Sequence, residues 1–334
     1  MKTVRILSIN SDGMRDLIPL YFMSKFVNDA GITNVFSSFD IIVGSGFGAI
    51  NALGFATGNS TADLISFFTT QGPIIFASRP SNATKVSDMN NGVPIYSNTN
   101  LISSINALFG NNYMPSVKTN VLIPSYYQNT ATTTNKYNQT GSVLFSNLTF
   151  PNYYGNSWKV ANVATASAMM PIYFAPISTL PSLFPDTPME YSGGSIYQSN
   201  PAQLAYALST ALFPTANRIA ILSLGTGRGD LGFTLPIPSG GESMYYLNDC
   251  LNFASSAGSQ AVHNSLYLQS QYGVKVNNKD LFYYGFDPYL DNTVDTEVDN
   301  STSGFIAYMN SLVTTEYAAQ IQQIYAFIQN AGFN

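Results

Sequence analysis

The chain is poor in charge. It has 13 Lys and Arg and 18 Asp and Glu among 334 residues, 9% in all, against about 25% in ordinary globular proteins. A net charge of −5 with no basic block argues against nucleic acid as a partner, because Lys and Arg must neutralise its phosphates. It disfavours an anionic membrane surface for the same reason. One cysteine, Cys250, forbids an internal disulfide, and one histidine, His263, leaves no Cys/His metal cluster. Both read as packing residues on a helix. No run of about eighteen apolar residues occurs, so no transmembrane segment is expected. The apolar stretch of the N-terminus is too short and too β-like for a secretory leader, so mature protein is expected to begin at the first strand. The sequons at Asn59, Asn82, Asn138, Asn147 and Asn300 then read as accidents of an Asn-, Ser- and Thr-rich composition, and the expected location is cytoplasmic. Nothing in the sequence calls for a cofactor or a metal.

What is present suits a large core. Apolar residues make up 45% of the chain, with 22 Phe and 22 Tyr, which excludes global disorder. Val4 to Ile9 reads as a strand ending in a turn, Asn10-Ser11-Asp12-Gly13. A helix from about Arg15 to Ala30 follows, with Gly31 placed to stop it. Phe39 to Val43 is a second strand that runs into Gly44-Ser45-Gly46-Phe47-Gly48 and a buried helix. Strand, helix, strand, glycine-rich turn, helix opens a parallel α/β sheet, and a three-layer α/β/α sandwich in one domain is expected. Residues 78–100 read as a turn-rich surface excursion. Asn120 to Pro124, Ser142 to Phe145 and Arg218 to Leu224 read as strands, with Gln128 to Thr140 as a hairpin loop. Val160 to Met170 reads as a small-residue helix, and about Gly304 to Ala331 as one amphipathic helix docked on the core.

The triple glycine after the second strand sits where a hydrolase places its nucleophile elbow, with the middle residue facing the substrate carbonyl and backbone N–H groups favouring the anionic intermediate. Here the middle residue is Gly46. Five blocks, in order over about residues 3–228, resemble the patatin-like phospholipases. Leu7 to Asp16 is similar to the family's first strand and oxyanion loop, L-S-x-D-G-G-G-x-R-G. Phe39 to Gly48 is similar to its elbow, F-D-x-I-x-G-T-S-x-G. Val163 to Phe174 is similar to A-T-S-A-A-P-x-Y-F. Tyr191 to Pro201 is similar to D-G-G-x-x-x-N-N-P, and Leu222 to Gly227 matches S-L-G-T-G. The C-terminal third matches nothing so clearly.

The resemblance implies a serine nucleophile at the Gly46 position and an aspartate base at the Ser192 position, and both are replaced. The former oxyanion loop, Ser11, Asp12, Gly13 and Met14, has lost two glycines. A carboxylate at Asp12 is expected to repel a developing oxyanion. Neighbouring Ser45 points elsewhere on a sharp turn, and an Asp12–Ser192 pair lacks both elbow and hole. The expectation is a pseudoenzyme, neither as found nor as a Gly46→Ser, Ser192→Asp revertant able to turn over esters. An acyl-chain cleft, if kept, is expected along Phe47, Met169, Met170, Tyr173 and Phe174, although these residues read more simply as core. Composition suggests what remains. The chain holds 33 Asn yet few Lys, and Tyr- and Asn-rich, charge-poor surfaces associate readily. A self-assembling or storage protein, its partner another copy of itself, is the expected function. The alternatives are binding of fatty acid or lipid without turnover, or residual acyl hydrolysis.

Overall fold

A computed structural model describes residues 2–130, 140–148, 157–178, 180–181, 188–229, 243–275 and 277–331. The N-terminal half is built from β1 (Thr3–Ile9), α1 (Leu17–Ala30), α2 (Val35–Ser38), β2 (Ile41–Gly44), α3 (Gly48–Thr57), α4 (Thr61–Ile75), α5 (Asn82–Asn90), α6 (Asn98–Phe109), β3 (Asn120–Asn129) and β4 (Thr140–Ser146). It continues through α7 (Val160–Ala168), β5 (Met189–Ser192), α8 (Ala202–Leu212), β6 (Arg218–Leu224), β7 (Arg228–Gly229), α9 (Ser243–Gln271), β8 (Asp280–Phe286), β9 (Tyr289–Leu290), α10 (Ser303–Ser311) and α11 (Ala318–Ala331).

Six strands run in the order β4-β3-β2-β1-β6-β8, and β5 adds to β3. Every pairing from β3 to β8 along this path is parallel, and β4 and β5 are antiparallel to β3. Alternate residues of the inner strands enter two separate cores, as a strand's period of two demands. Leu7, Ile9, Ile42 and Leu222 pack with α1, α3, α4 and α7 on one face. Val4, Ile6, Ile41, Val43 and Ile221 pack with α8 and Leu266 of α9 on the other. The three-layer sandwich with a mainly parallel sheet is therefore as expected.

Local chemistry sets the element ends. Gly31 closes α1 in the left-handed region at φ 64°, where L side chains rarely go. Ser60 and Asp63 form a reciprocal capping box at the start of α4. Three expectations are corrected. Residues 78–100 hold a helix, α5, and the start of α6, each capped by a serine, Ser81 and Ser97, that accepts from a backbone N–H. The polar composition that resembled a loop is the solvent face of these helices. The final helix is broken by a π-turn over Leu312–Glu316, which shifts the apolar stripe so that both Met309 and Ile321 reach the core. The expected hairpin loop is shorter, since Gln128, Asn129 and Thr140 are strand residues, and its centre, 131–139, lies outside the described residues. Cys250 and His263 both fall on α9; the packing of the Cys250 side chain lies outside what is described. No described helix is long and apolar enough to cross a membrane.

Candidate functional site

The site is assembled at the carboxyl edge of the parallel strands, where open α/β sheets place their ligands. β1 delivers Asn10 to Met14, and β2 delivers the turn at Gly46, because Ile9 and Gly44 end in register. β5 supplies the third part. It pairs with Tyr126 to Asn129 of β3, beyond the Asn120 to Leu122 stretch that pairs with β2. It therefore continues the line of β2 and runs back towards the turn. Ser125 pins this arrangement, its hydroxyl donating to Ala166 O at 2.6 Å and lying 3.1 Å from Ser192 O.

Gly46 adopts φ 53°, the left-handed conformation of a nucleophile elbow. Its surroundings leave no room for a side chain. A Cβ there would sit 2.2 Å from Ser11 Oγ and 3.3 Å from the Ser195 Cβ. Ser11 Oγ also accepts the N–H of Phe47 at 2.8 Å, the amide that follows the elbow residue and would serve an oxyanion. The N–H of Gly46 goes to Ser167 Oγ at 3.0 Å, and Ser167 donates to Pro124 O at 2.7 Å. Met14 N–H is bound by Val298 O at 2.7 Å. The N–H groups of Gly46, Phe47 and Met14 are thus each bonded within the protein.

Asp12, expected to repel an oxyanion, is paired: its Oδ2 is held by the Arg15 guanidinium at 2.8 Å and by the Thr226 hydroxyl at 2.7 Å. Ser11, 4% exposed, is the group beside the elbow. Gly13 (φ 61°) and buried Met14 continue the loop under Val298. Ser192 lies at the end of β5, half-buried, and it is the following Ser195 that approaches Gly46. Ser45 is wholly buried and its hydroxyl has no partner among the described residues. The roles of Ser11, Ser167, Ser195 and Val298 were not legible in the sequence. Ser11, Ser167 and Ser195 each fall inside a family-like block, which hinted at the site; Val298 does not.

Of the five cleft candidates, four are buried in the core and Met170 packs half-buried against it. Phe47, Met169 and Phe174 are 1%, 1% and 2% exposed, and Phe47 stacks on Phe76 and Phe174 at centroid distances of 5.7 and 6.3 Å. The 260 Å³ cavity beside the loop is polar, lined by Ser11, Asp12, Arg15, Lys85 and Thr226 among others. Of the five candidates, only Tyr173 reaches it.

A buried acid stands behind the loop. Asp16 is fully buried, its Oδ2 accepts the N–H of Asp12 at 2.8 Å, and its Oδ1 has no partner among the described residues. Burial raises its pKa well above the usual carboxylate value, opposed by the Asp12 N–H bond. The native state then holds a proton that the unfolded chain has already lost, so this group costs stability as pH rises above the ordinary carboxylate range. Asp16→Asn removes the titration. The stability difference between variant and wild type is expected to move in the variant's favour from about pH 4 upward, with a limiting slope of about 1.4 kcal/mol per pH unit. Urea unfolding at several pH values checks it, and a constant difference from pH 4 to 7 would contradict the buried-acid assignment.

Comparison with known proteins agrees with this layout. The family model for patatin-like phospholipase matches residues 30–206. No curated protein matches the chain in sequence. Among solved structures, VipD from Legionella pneumophila is similar at 12% identity, over 94% of this chain and 67% of that one, with a TM-score of 0.33, a likeness too slight to add to the family match. With more than half of its length matched, and with its loop, elbow and Gly-Gly turn brought to one sheet edge, the chain belongs to the patatin-like phospholipase family.

Proposed function

We propose that this chain is a patatin-like protein without acyl-hydrolase turnover, retained as a self-associating structural or storage protein. One observation carries the first half of that reading: Ser11 Oγ lies 2.2 Å from where a side chain at residue 46 would begin, and it already holds the Phe47 N–H. A nucleophile is missing, its seat is filled, and the amide that would steady an oxyanion is engaged. Removing such parts leaves at most the residual acceleration of binding and hole, roughly 10³–10⁴ over water in well-formed sites. Association is supported by the low charge and by exposed apolar side chains near the end of α9, Leu268 at 50%, Tyr272 at 79% and Val274 at 47%.

Two measurements test this. A fluorophosphonate probe is expected to leave the protein unlabelled, with p-nitrophenyl ester hydrolysis at the background rate. Covalent label at any residue near the Gly46 turn would overturn the inert-scaffold reading. Light scattering across a concentration series in modest salt is expected to show mass growing with concentration. A protein that stays monomeric throughout would remove the storage and assembly half.

A further inference from the structure

A second cavity lies on the other side of Asn10, away from the elbow. It encloses 570 Å³, within the range of about 300–1,000 Å³ typical of small-molecule sites. Its floor is the carboxyl end of β6 and β8, and its wall is α9. That is again the edge where parallel sheets bind ligands, but between β6 and β8, farther along the sheet from the elbow that ends β2.

The cavity is built around two side chains that the backbone makes way for. A Cβ on Gly225 would lie 2.1 Å from Asp287 Oδ1, and one on Gly285 would lie 2.4 Å from His263 Nδ1. The two strand-end glycines therefore admit a carboxylate and an imidazole into the wall. His263 is held by the Tyr283 hydroxyl at 3.1 Å and stacks on Tyr267 at 6.0 Å. Asp287 Oδ1 accepts the N–H of Gly227 at 3.0 Å. The exposed rim is amide and aromatic: Gln260, Asn264, Tyr267 and Gln271 recur at helical spacing along one face of α9.

We propose that this cavity binds a neutral polyhydroxyl compound of sugar or cyclitol size. The chemistry selects that class. Amides, hydroxyls, an imidazole and a carboxylate offer donors and acceptors to many ligand hydroxyls at once. Aromatic rings such as Tyr284 and Phe327 offer faces to its C–H groups. Charge opposes the alternatives. An anion would meet the Asp287 carboxylate, and a cation would meet Arg228, whose guanidinium lies 4.2 Å from the Tyr289 ring centroid. The inference does not depend on whether the elbow is inert.

Isothermal titration with D-glucose, maltose and myo-inositol tests it, with glucose 6-phosphate and glucosamine as charged counterparts. At least one neutral compound is expected to bind, more tightly than either charged one. The rim substitutions Gln260→Leu and Asn264→Leu, at exposed positions that leave the core untouched, are each expected to weaken binding about tenfold. His263→Ala is expected to abolish it with little change in melting temperature. Preference for the phosphate or the amine, no binding by any neutral compound at about 10 mM, or binding that ignores the rim variants would each overturn the assignment.

Discussion

Gly46→Ser is expected to destabilise the protein by about 3 kcal/mol and to restore no esterase activity. Two costs combine. The residue holds φ 53°, a conformation that costs a side-chain-bearing residue about 1–3 kcal/mol. Its Cβ would also meet Ser11 Oγ at 2.2 Å and Ser11 Cβ at 2.8 Å, an overpacking that costs about 1–3 kcal/mol where neighbours must shift. The second cost is removable. In Ser11→Gly, Gly46→Ser the clash disappears and the Phe47 N–H is freed, so the pair should be coupled by about 1–3 kcal/mol in urea unfolding. Additive effects of the two single changes would mean that Ser11 does not occupy the elbow. The Gly46→Ser, Ser192→Asp revertant is expected to stay inactive for the same reason, since its new serine must displace Ser11 before it faces any substrate.

Asp299→Leu is expected to cost about 3–5 kcal/mol, among the largest effects of any single substitution here. Asp299 is fully buried and receives Arg79 Nε at 2.8 Å, Lys85 Nζ at 2.7 Å and the Tyr96 hydroxyl at 2.7 Å. Lys85 is itself only 3% exposed and also pairs with Glu297, while Arg79 adds Asp295 and Glu297. Replacing the carboxylate with an apolar group leaves a buried ammonium short of an acceptor and the Tyr96 hydroxyl without one. The loss should be greater than that of Lys85→Met, because Asp299 keeps Arg79 and Tyr96 in that variant. The double variant should cost less than the sum, since the second change removes the charge that the first leaves unpaired. The consequence reaches the site. The cluster holds the 295–299 segment whose Val298 O accepts the Met14 N–H, so the former oxyanion loop should exchange its amide protons faster in Asp299→Leu. Protection equal to wild type at Met14, in a variant that is otherwise destabilised, would show that the loop does not need the cluster.

Much of the fold was legible because it is local. Apolar strands at Val4 to Ile9, Phe39 to Val43 and Arg218 to Leu224 follow from period and punctuation, and the α1 stop follows from Gly31. β8 was missed: Asp280 to Phe286 is tyrosine-rich, and it is buried by elements distant in sequence, its neighbour β6, α9 and rings such as Phe22 of α1 and Phe327 of α11. β5 was read as part of a motif rather than as a strand, because four residues gain strand character only by extending the line of β2.

By itself the sequence determined the layered α/β architecture and the family, and it put Gly46 and Ser192 where the resemblance implies a serine and an aspartate, since these readings rest on residue type and order. The tertiary structure alone decided what took their place. It gave Asp12 to Arg15 and Thr226, put Ser11 against the elbow, laid Val298 across the loop and opened the cavity between α9 and β8. Most of these contacts join residues far apart in sequence, and a hydroxyl or carbonyl can take an amide only when the fold brings it within hydrogen-bond reach.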